Sequence, residues 1–409
     1  MAARILLFAA FLVCELKAQD PAATLGGTVV DVSGAMVPRA KVEIRNTATN
    51  QVSSVESDAK GEFAAPNLPP GVYEVIVSKV GFRTLRETNL KLQLEQQARM
   101  EFRLELGAVS QTVEVQALAA LLNTENAVKG EVVASEQMVE VPLNGRDFTD
   151  LALLTPGVAP NAQGGSGSAM AINGARADNT NFIIDGFNDQ NPRGGAAQAR
   201  PNIESMEEFK MQTTGYSAEA GRLAGGVLSM ALKSGGNQLH GVLFEFLRND
   251  AFDARNFFDT SKSELRRNQF GGMASGPVLI PKLYNGHDRT FFMFSWESYR
   301  QRQGQSRLGV VPTDAQRHGN FSSAGLLKDP LASGSCNSTS QAACFPNGQI
   351  PLSRLSSIAL NAQAYFPVAN RSGLVNDYYA NVVAPDDWDS DVIKIDHHFS
   401  ASSSASYRF

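Results

Sequence analysis

Five histidines and three cysteines are the residues of this 409-residue chain best suited to metal or nucleophilic chemistry, and their spacing gives them little scope for it. Asp396, His397 and His398 form the densest titratable run. Neighbouring side chains on an extended strand point to opposite faces, so the two histidines cannot share one ion and read as solvent- or lumen-facing strand residues. Cys336 and Cys344 lie close together in a Ser- and Asn-rich stretch. A loop disulfide is the natural reading, because a zinc site needs further ligands and His318 is the nearest one. The loop Gly164-Gly165-Ser166-Gly167 suggests a phosphate cradle but lacks the Gly-Lys-Ser/Thr ending and the strand-to-helix setting, so it reads as a flexible loop. No serine-elbow motif is present, and the chain is expected to be neither an enzyme nor the holder of a cofactor or metal. Arg146 with Asp147, and Arg176 with Asp178, stand either as internal ion pairs or as solvated pairs of small worth.

Three kinds of element carry these residues. The hydrophobic share of 43%, the charged share of 19% and the net charge of -5 describe a globular or barrel-forming chain without the basic surface that nucleic acid demands. At this length two or three folding units are expected. Arg4, the apolar run from Ile5 to Val13 and then Lys17-Ala18-Gln19 follow the order of a secretory signal over residues 1–18, with cleavage after Ala18. Val13 stands where a lipobox wants Gly, Ala or Ser, so Cys14 reads as part of the apolar run. No later segment is apolar for long enough to cross a bilayer as a helix, a test that barrel strands escape.

Residues 22–106 alternate with period two and are punctuated by turn chemistry, the pattern of an all-β sandwich. Ala40, Val42 and Ile44 alternate with Lys41, Glu43 and Arg45; Tyr73, Val75 and Val77 alternate with Glu74 and Ser78; Met100, Phe102, Leu104 and Leu106 alternate with Glu101, Arg103 and Glu105. Residues 107–129 are a linker holding the β-prone string Gln111 to Ala117, which either adds to another sheet's edge or extends the preceding strand. Residues 130–236 mix short helices and strands into an α+β unit, with Phe182-Ile183-Ile184 running into an Asp185-Gly186 turn and a short helix at Ile203 to Met206 that Asn202 caps. From 237 to 409 aromatic strands alternate: Val242, Phe244 and Phe246; Phe292, Phe294 and Trp296 against Ser295 and Glu297; Ile393, Ile395 and Phe399 against Lys394, Asp396 and His398. A strand between lipid and water needs this pattern, although a soluble sandwich with one wet face gives a similar one.

Several blocks between residues 141 and 241 carry a more specific signal. They are Val141-Pro142-Leu143-Asn144-Gly145-Arg146-Asp147-Phe148, Leu154-Thr155-Pro156-Gly157-Val158, Ile172-Asn173-Gly174-Ala175-Arg176, Phe182 to Gly186, Ile203 to Phe209, Tyr216 to Arg222 and Gly225 through Gly235. In this order they resemble the plug of TonB-dependent outer-membrane receptors of the Oar-like subgroup. Residues 22–106 resemble the carboxypeptidase regulatory-like sandwich often fused ahead of it. Phe244 to Asp250, Asn268 to Gly272 and Phe292 to Glu297 resemble the first barrel strands.

The resemblance implies a mainly β chain: a sandwich, an α+β plug and the first strands of an incomplete antiparallel transmembrane barrel. It implies residence in the cell outer membrane, contact with its lipid and uptake of an unidentified nutrient ligand. Energy comes from the periplasmic protein TonB, since the outer membrane has no ion gradient of its own. Family position makes Thr112, Val113, Glu114, Val115, Gln116 and Ala117 the candidate TonB box, which binds by adding a strand to TonB's sheet. The plug loop holding Asn188, Asp189 and Arg193 is the candidate place for substrate contact. Residues 237–409 offer only a few strands, so the chain is expected to stop before a barrel could close and to be inactive alone. The competing reading is a cell-surface adhesion protein whose sandwich recognises glycan or protein.

Overall fold

The computed structural model describes residues 22–116, 128–160, 170–176, 179–191, 195–217, 220, 224–255, 257, 262–401 and 403–409. The signal segment, the Gly164 to Gly167 loop, Ala117, Asp178 and Arg193 lie outside the described residues.

Eight strands form the N-terminal sandwich: β1 (Ala23–Asp31), β2 (Lys41–Asn46), β3 (Val52–Glu56), β4 (Glu62–Leu68), β5 (Gly71–Ser78), β6 (Thr84–Leu92), β7 (Gln97–Leu104) and β8 (Thr112–Gln116). One sheet runs β4-β1-β7 and the other β3-β2-β5-β6-β8. Ala40, Val42, Ile44, Tyr73, Val75, Val77, Phe102 and Leu104 are buried between them, as the alternation expects. Glu74 departs from it. Expected on the wet face, it is buried because Arg45 and Arg86 close on its carboxylate from the two neighbouring strands. Leu106 is exposed because β7 ends at Leu104, two residues short of it. The 112–116 string does not prolong β7: after a turn it crosses to the other sheet and pairs with β6 in parallel.

The middle of the chain supplies β9 (Lys129–Ala134), β10 (Val158–Pro160), β11 (Met170–Ile172), β12 (Thr180–Ile184), β13 (Phe187–Asn188), β14 (Met206–Thr214) and β15 (Gly226–Leu232). Five of them make a mixed sheet in the order β13-β12-β15-β14-β9, in which β12 and β15 are parallel. The central β15 is buried along its whole length. Phe182, Phe209, Met211, Leu228 and Met230 pack with Met138 of the helix Ser135–Glu140 and Leu151 of a 3-10 helix, giving the α+β unit its core. The helix expected from Ile203 to Met206 is a 3-10 turn, Ile203–Ser205, and Met206 already begins β14. Asn202 caps it, accepting from the Ser205 N–H at 2.9 Å.

The last strands are β16 (His240–Asn249), β17 (Leu265–Pro277), the short pair β18 (Leu279–Ile280) and β19 (Tyr284–Asn285), β20 (Thr290–Gly309), β21 (Tyr378–Ser400) and β22 (Ser403–Arg408). Their sheet runs β16-β17-β20-β21-β22, with strands following one another in chain order apart from the short pair, and among the described residues β16 and β22 are its edges. By its contacts the chain divides into two compact units: the described residues of Met1–Glu245, Gln269–Ser298 and Asp389–Phe409 form one, and those of Phe246–Asn268 and Tyr299–Trp388 the other. The second unit holds strand segments and a long loop. Tyr299 and Trp388 stack at 4.9 Å, and Arg302 grips Asp387 through two bonds of 2.6 and 2.8 Å. Within the loop, Cys336 and Cys344 are joined by a disulfide with their Cα atoms 5.0 Å apart.

Candidate functional site

At Phe294 to Glu297 of β20 and at Lys394 and Ile395 of β21 the wall is inverted relative to a soluble sheet. On β20, Phe294 and Trp296 point outward, while Met293, Ser295 and Glu297 are buried facing the plug sheet. On β21, Ile395 and Phe399 are exposed while Lys394 is buried. Polar groups inside and apolar groups outside are what a wall between hydrocarbon and a polar filling requires, since lipid tolerates no outward charge. A soluble sandwich buries its apolar face, so this alternative fails at these positions.

The inward polar groups meet the plug in two buried clusters. The first centres on Asp185. Strand β12 ends in an Asp185-Gly186 turn with φ of +46° and +82°, the left-handed pair that a two-residue hairpin needs and that Asp and Gly adopt readily. The turn brings the Asp185 carboxylate, itself 4% exposed, under the end of β15, where it accepts from the Leu232 N–H at 2.9 Å. Two wall cations close on it: Arg408 Nε at 2.6 Å and Lys394 Nζ at 3.2 Å. Lys394 also donates to the Leu232 carbonyl at 3.1 Å, and the Arg408 guanidinium lies over the Phe187 ring. One anion between two cations compensates the loss of water that burial imposes on all three.

The second cluster centres on Arg146, which pairs with Glu204, both side chains being almost fully buried. The left-handed backbone at Arg146 and the capped turn Ile203–Ser205 bring the two together. The guanidinium also lies over the Phe244 ring at 5.6 Å. Nearby, Asn202 donates to Ser295, and Gln269 donates to the buried Glu297. The neighbour suggested by adjacency, Asp147, turns away to cap the 3-10 helix Phe148–Leu154, accepting from the Thr149 N–H and hydroxyl.

A third polar cluster joins the sandwich to the plug sheet. The loop between β6 and β7 reaches β14 and β15: Glu208 accepts from the Leu94 N–H at 2.6 Å, and Lys210 donates to the Leu94 carbonyl at 3.0 Å. Gln212 and Ser229 donate to Glu95 at 3.0 and 2.9 Å. Burial pushes the Glu208 carboxyl up to about 7, against the opposing effect of the Leu94 N–H. A carboxyl whose folded value stands above its ordinary 4.5 favours folding at low pH, and that contribution is lost as pH rises through about 7. Glu208→Gln is therefore expected to raise stability at pH 8 by up to about 3 kcal/mol and to leave it unchanged at pH 4. Thermal melts of both proteins across this range check it; parallel curves would remove the assignment.

The candidate substrate loop is held by its own bonds. Asp189 accepts from the Gln198 and Ala199 N–H groups at 3.1 Å, and burial raises its carboxyl above the usual range. Asn188 donates to Asn181 at 3.0 Å and accepts from the Gln190 N–H at 3.0 Å. The histidines of β21 diverge, as strand geometry dictates: His397 meets the Thr290 hydroxyl at 2.7 Å and His398 lies edge-on to Phe291. Among the described residues no group of His, Cys, Asp and Glu is placed to hold a metal ion. The candidate TonB box, as far as Gln116, is strand β8 on the edge of the sandwich.

A small mixed sheet held by buried ion pairs against a wall that is apolar outside defines an outer-membrane barrel protein with its plug. Three family models match in succession: a carboxypeptidase regulatory-like domain over residues 24–105, a TonB-dependent receptor plug domain over 123–227 and an outer membrane beta barrel domain over 231–409. In succession these are the domains of a TonB-dependent receptor of the outer membrane, headed by a regulatory-like sandwich. It is 27% identical over 310 residues to the TonB-dependent transporter Oar of Myxococcus xanthus, a match covering 71% of this chain and 28% of that protein's length. Among solved structures, the outer membrane transporter YddB of Escherichia coli aligns over 66% of this chain and 31% of its own, with 12% identity and a TM-score of 0.38. Hydroxyquinol 1,2-dioxygenase of Pseudomonas putida aligns over 21% of this chain and 57% of its own, with 15% identity and a TM-score of 0.18. Neither structural likeness bears on function at these scores. TonB-dependent receptors are transporters and not enzymes.

Proposed function

We propose that this chain supplies the periplasmic sandwich, the plug and the opening wall strands of a TonB-energised importer of a nutrient, and that it catalyses no reaction. The observation that supports this reading is the inversion of the wall: Lys394 and Glu297 face the plug while Phe294, Trp296 and Ile395 face outward. Import requires a closed cylinder, and even the smallest membrane barrels use about eight strands, so the five-stranded sheet of the described residues is read as part of such a cylinder's wall. The loop at Asn188, Asp189 and Arg193 is assigned to ligand contact, and Thr112 to Ala117 to the TonB box. No separate observation favours adhesion through the sandwich.

Strand addition needs backbone donors, which proline lacks. Val113→Pro or Val115→Pro is expected to abolish crosslinking to TonB, measured in membranes holding the completed barrel. Crosslinking at the wild-type level in both variants would retire the box assignment.

A further inference from the structure

We infer that the sandwich is a presenting platform for the TonB box: it holds the box as a ready-made edge strand onto which TonB adds without first removing it. This rests on the box assignment above and goes beyond it. Strand β8 pairs with β6 over five consecutive positions, Thr84↔Thr112 to Thr88↔Gln116, with no register shift. It is the last strand of its sheet, and among the described residues β6 is its one strand neighbour. Among the described residues its outer rank of N–H and C=O groups therefore stands open, a surface that fits another extended strand.

Three further features suit this use. The entry to β8 is anchored outside the box: the Thr84 N–H donates to the Gln111 carbonyl at 2.9 Å and the Thr84 hydroxyl to the Val109 carbonyl at 2.8 Å. Arg83 donates to Gln111 at 3.0 Å and to Glu105 at 2.9 Å. Val113 tucks against the sandwich core while Thr112, Glu114 and Val115 remain exposed. Proteins commonly blunt sheet edges with proline or charge, and two other sandwich edges are guarded in this way: β4 contains Pro66, and β7 carries Arg99, Glu101 and Arg103. Strand β8 has no proline, no bulge and one charge, Glu114. A segment already extended has little ordering left to lose when a partner strand arrives, so holding β8 in place favours association.

The test locks the box to its platform. Adjacent strands lie about 4.8 Å apart, within the span a disulfide bridges, so Thr84→Cys with Thr112→Cys ties β8 to β6. Binding of the periplasmic domain of TonB to the full chain is measured with the pair oxidised and reduced, beside wild type given the same reductant. Affinity retained or raised in the oxidised protein supports presentation. Binding only after reduction overturns it and shows that the box must leave the sheet, while the assignment of the box stands. No binding to wild type or to either form of the variant sinks the box assignment and this inference with it. Loosening the anchor through Arg83→Ala with Thr84→Val, which replaces no box residue, is expected to weaken TonB binding about tenfold by restoring disorder to the segment. A tighter complex in that variant counts against presentation.

Discussion

Asp185→Ala is expected to loosen the plug from its wall more than any other single change in the first unit, at a cost of about 3–5 kcal/mol. The substitution leaves Lys394 buried beside a carbonyl without its anion and deprives the Leu232 N–H of its acceptor. Arg408 is partly exposed and recovers some hydration, which places the effect toward the lower end of that range. Asp185→Asn keeps an acceptor for Leu232 and is expected to cost less. Hydrogen exchange in β15 and β21, followed with denaturant titration in micelles, measures both variants. Exchange and midpoint identical to wild type would show that the three-ion cluster does not hold the plug. In a completed barrel the same change is expected to admit bulky antibiotics that the seated plug excludes.

Arg146→Ala is the second large effect, with a similar expected loss of about 3–5 kcal/mol. Glu204 is 4% exposed and among the described residues one of its carboxylate oxygens already lacks a hydrogen-bond partner, so removal of the guanidinium leaves a buried charge without compensation. Lysine is not equivalent here, because a point charge cannot reproduce the planar contact with the Phe244 ring. The double variant Arg146→Ala with Glu204→Gln removes the stranded charge and is expected to recover a large part of the loss. A double-mutant cycle measures the coupling directly. A double variant no more stable than Arg146→Ala would show that the arginine acts through packing and not through its charge.

Much of this architecture was legible in residue types alone, and the limit of legibility has a physical cause. Alternation at Ala40-Val42-Ile44 and at Phe292-Phe294-Trp296 marks strands and their faces because side-chain direction has period two whatever the surroundings. The Asp185-Gly186 turn was legible because left-handed backbone selects those residues. What Asp185 contacts was not: Lys394 and Arg408 lie more than two hundred residues further along the chain, and charge attraction leaves no periodic trace. A usable signal did exist in Ile393-Lys394-Ile395, where a cation on the inner face of a lipid-facing strand must find an anion within. Glu74 was assigned to the wet face for the same reason in reverse, since its two arginine partners come from different strands. Arg146 was matched with its neighbour Asp147 because adjacency is what a linear reading sees, whereas the fold uses Asp147 as a cap and brings in Glu204. The assignments of the TonB box and the ligand loop rested on family position, as no local property distinguishes a recognition strand from any other short strand.

The bonding of Leu94 and Glu95 to Lys210, Gln212 and Ser229 has a mechanical corollary. These contacts fall on two of the three interior strands of the five-stranded sheet and not on its edges. In the uptake reading proposed above, a tug delivered to the sandwich reaches the plug sheet through these interior strands, each of which has neighbours on both sides.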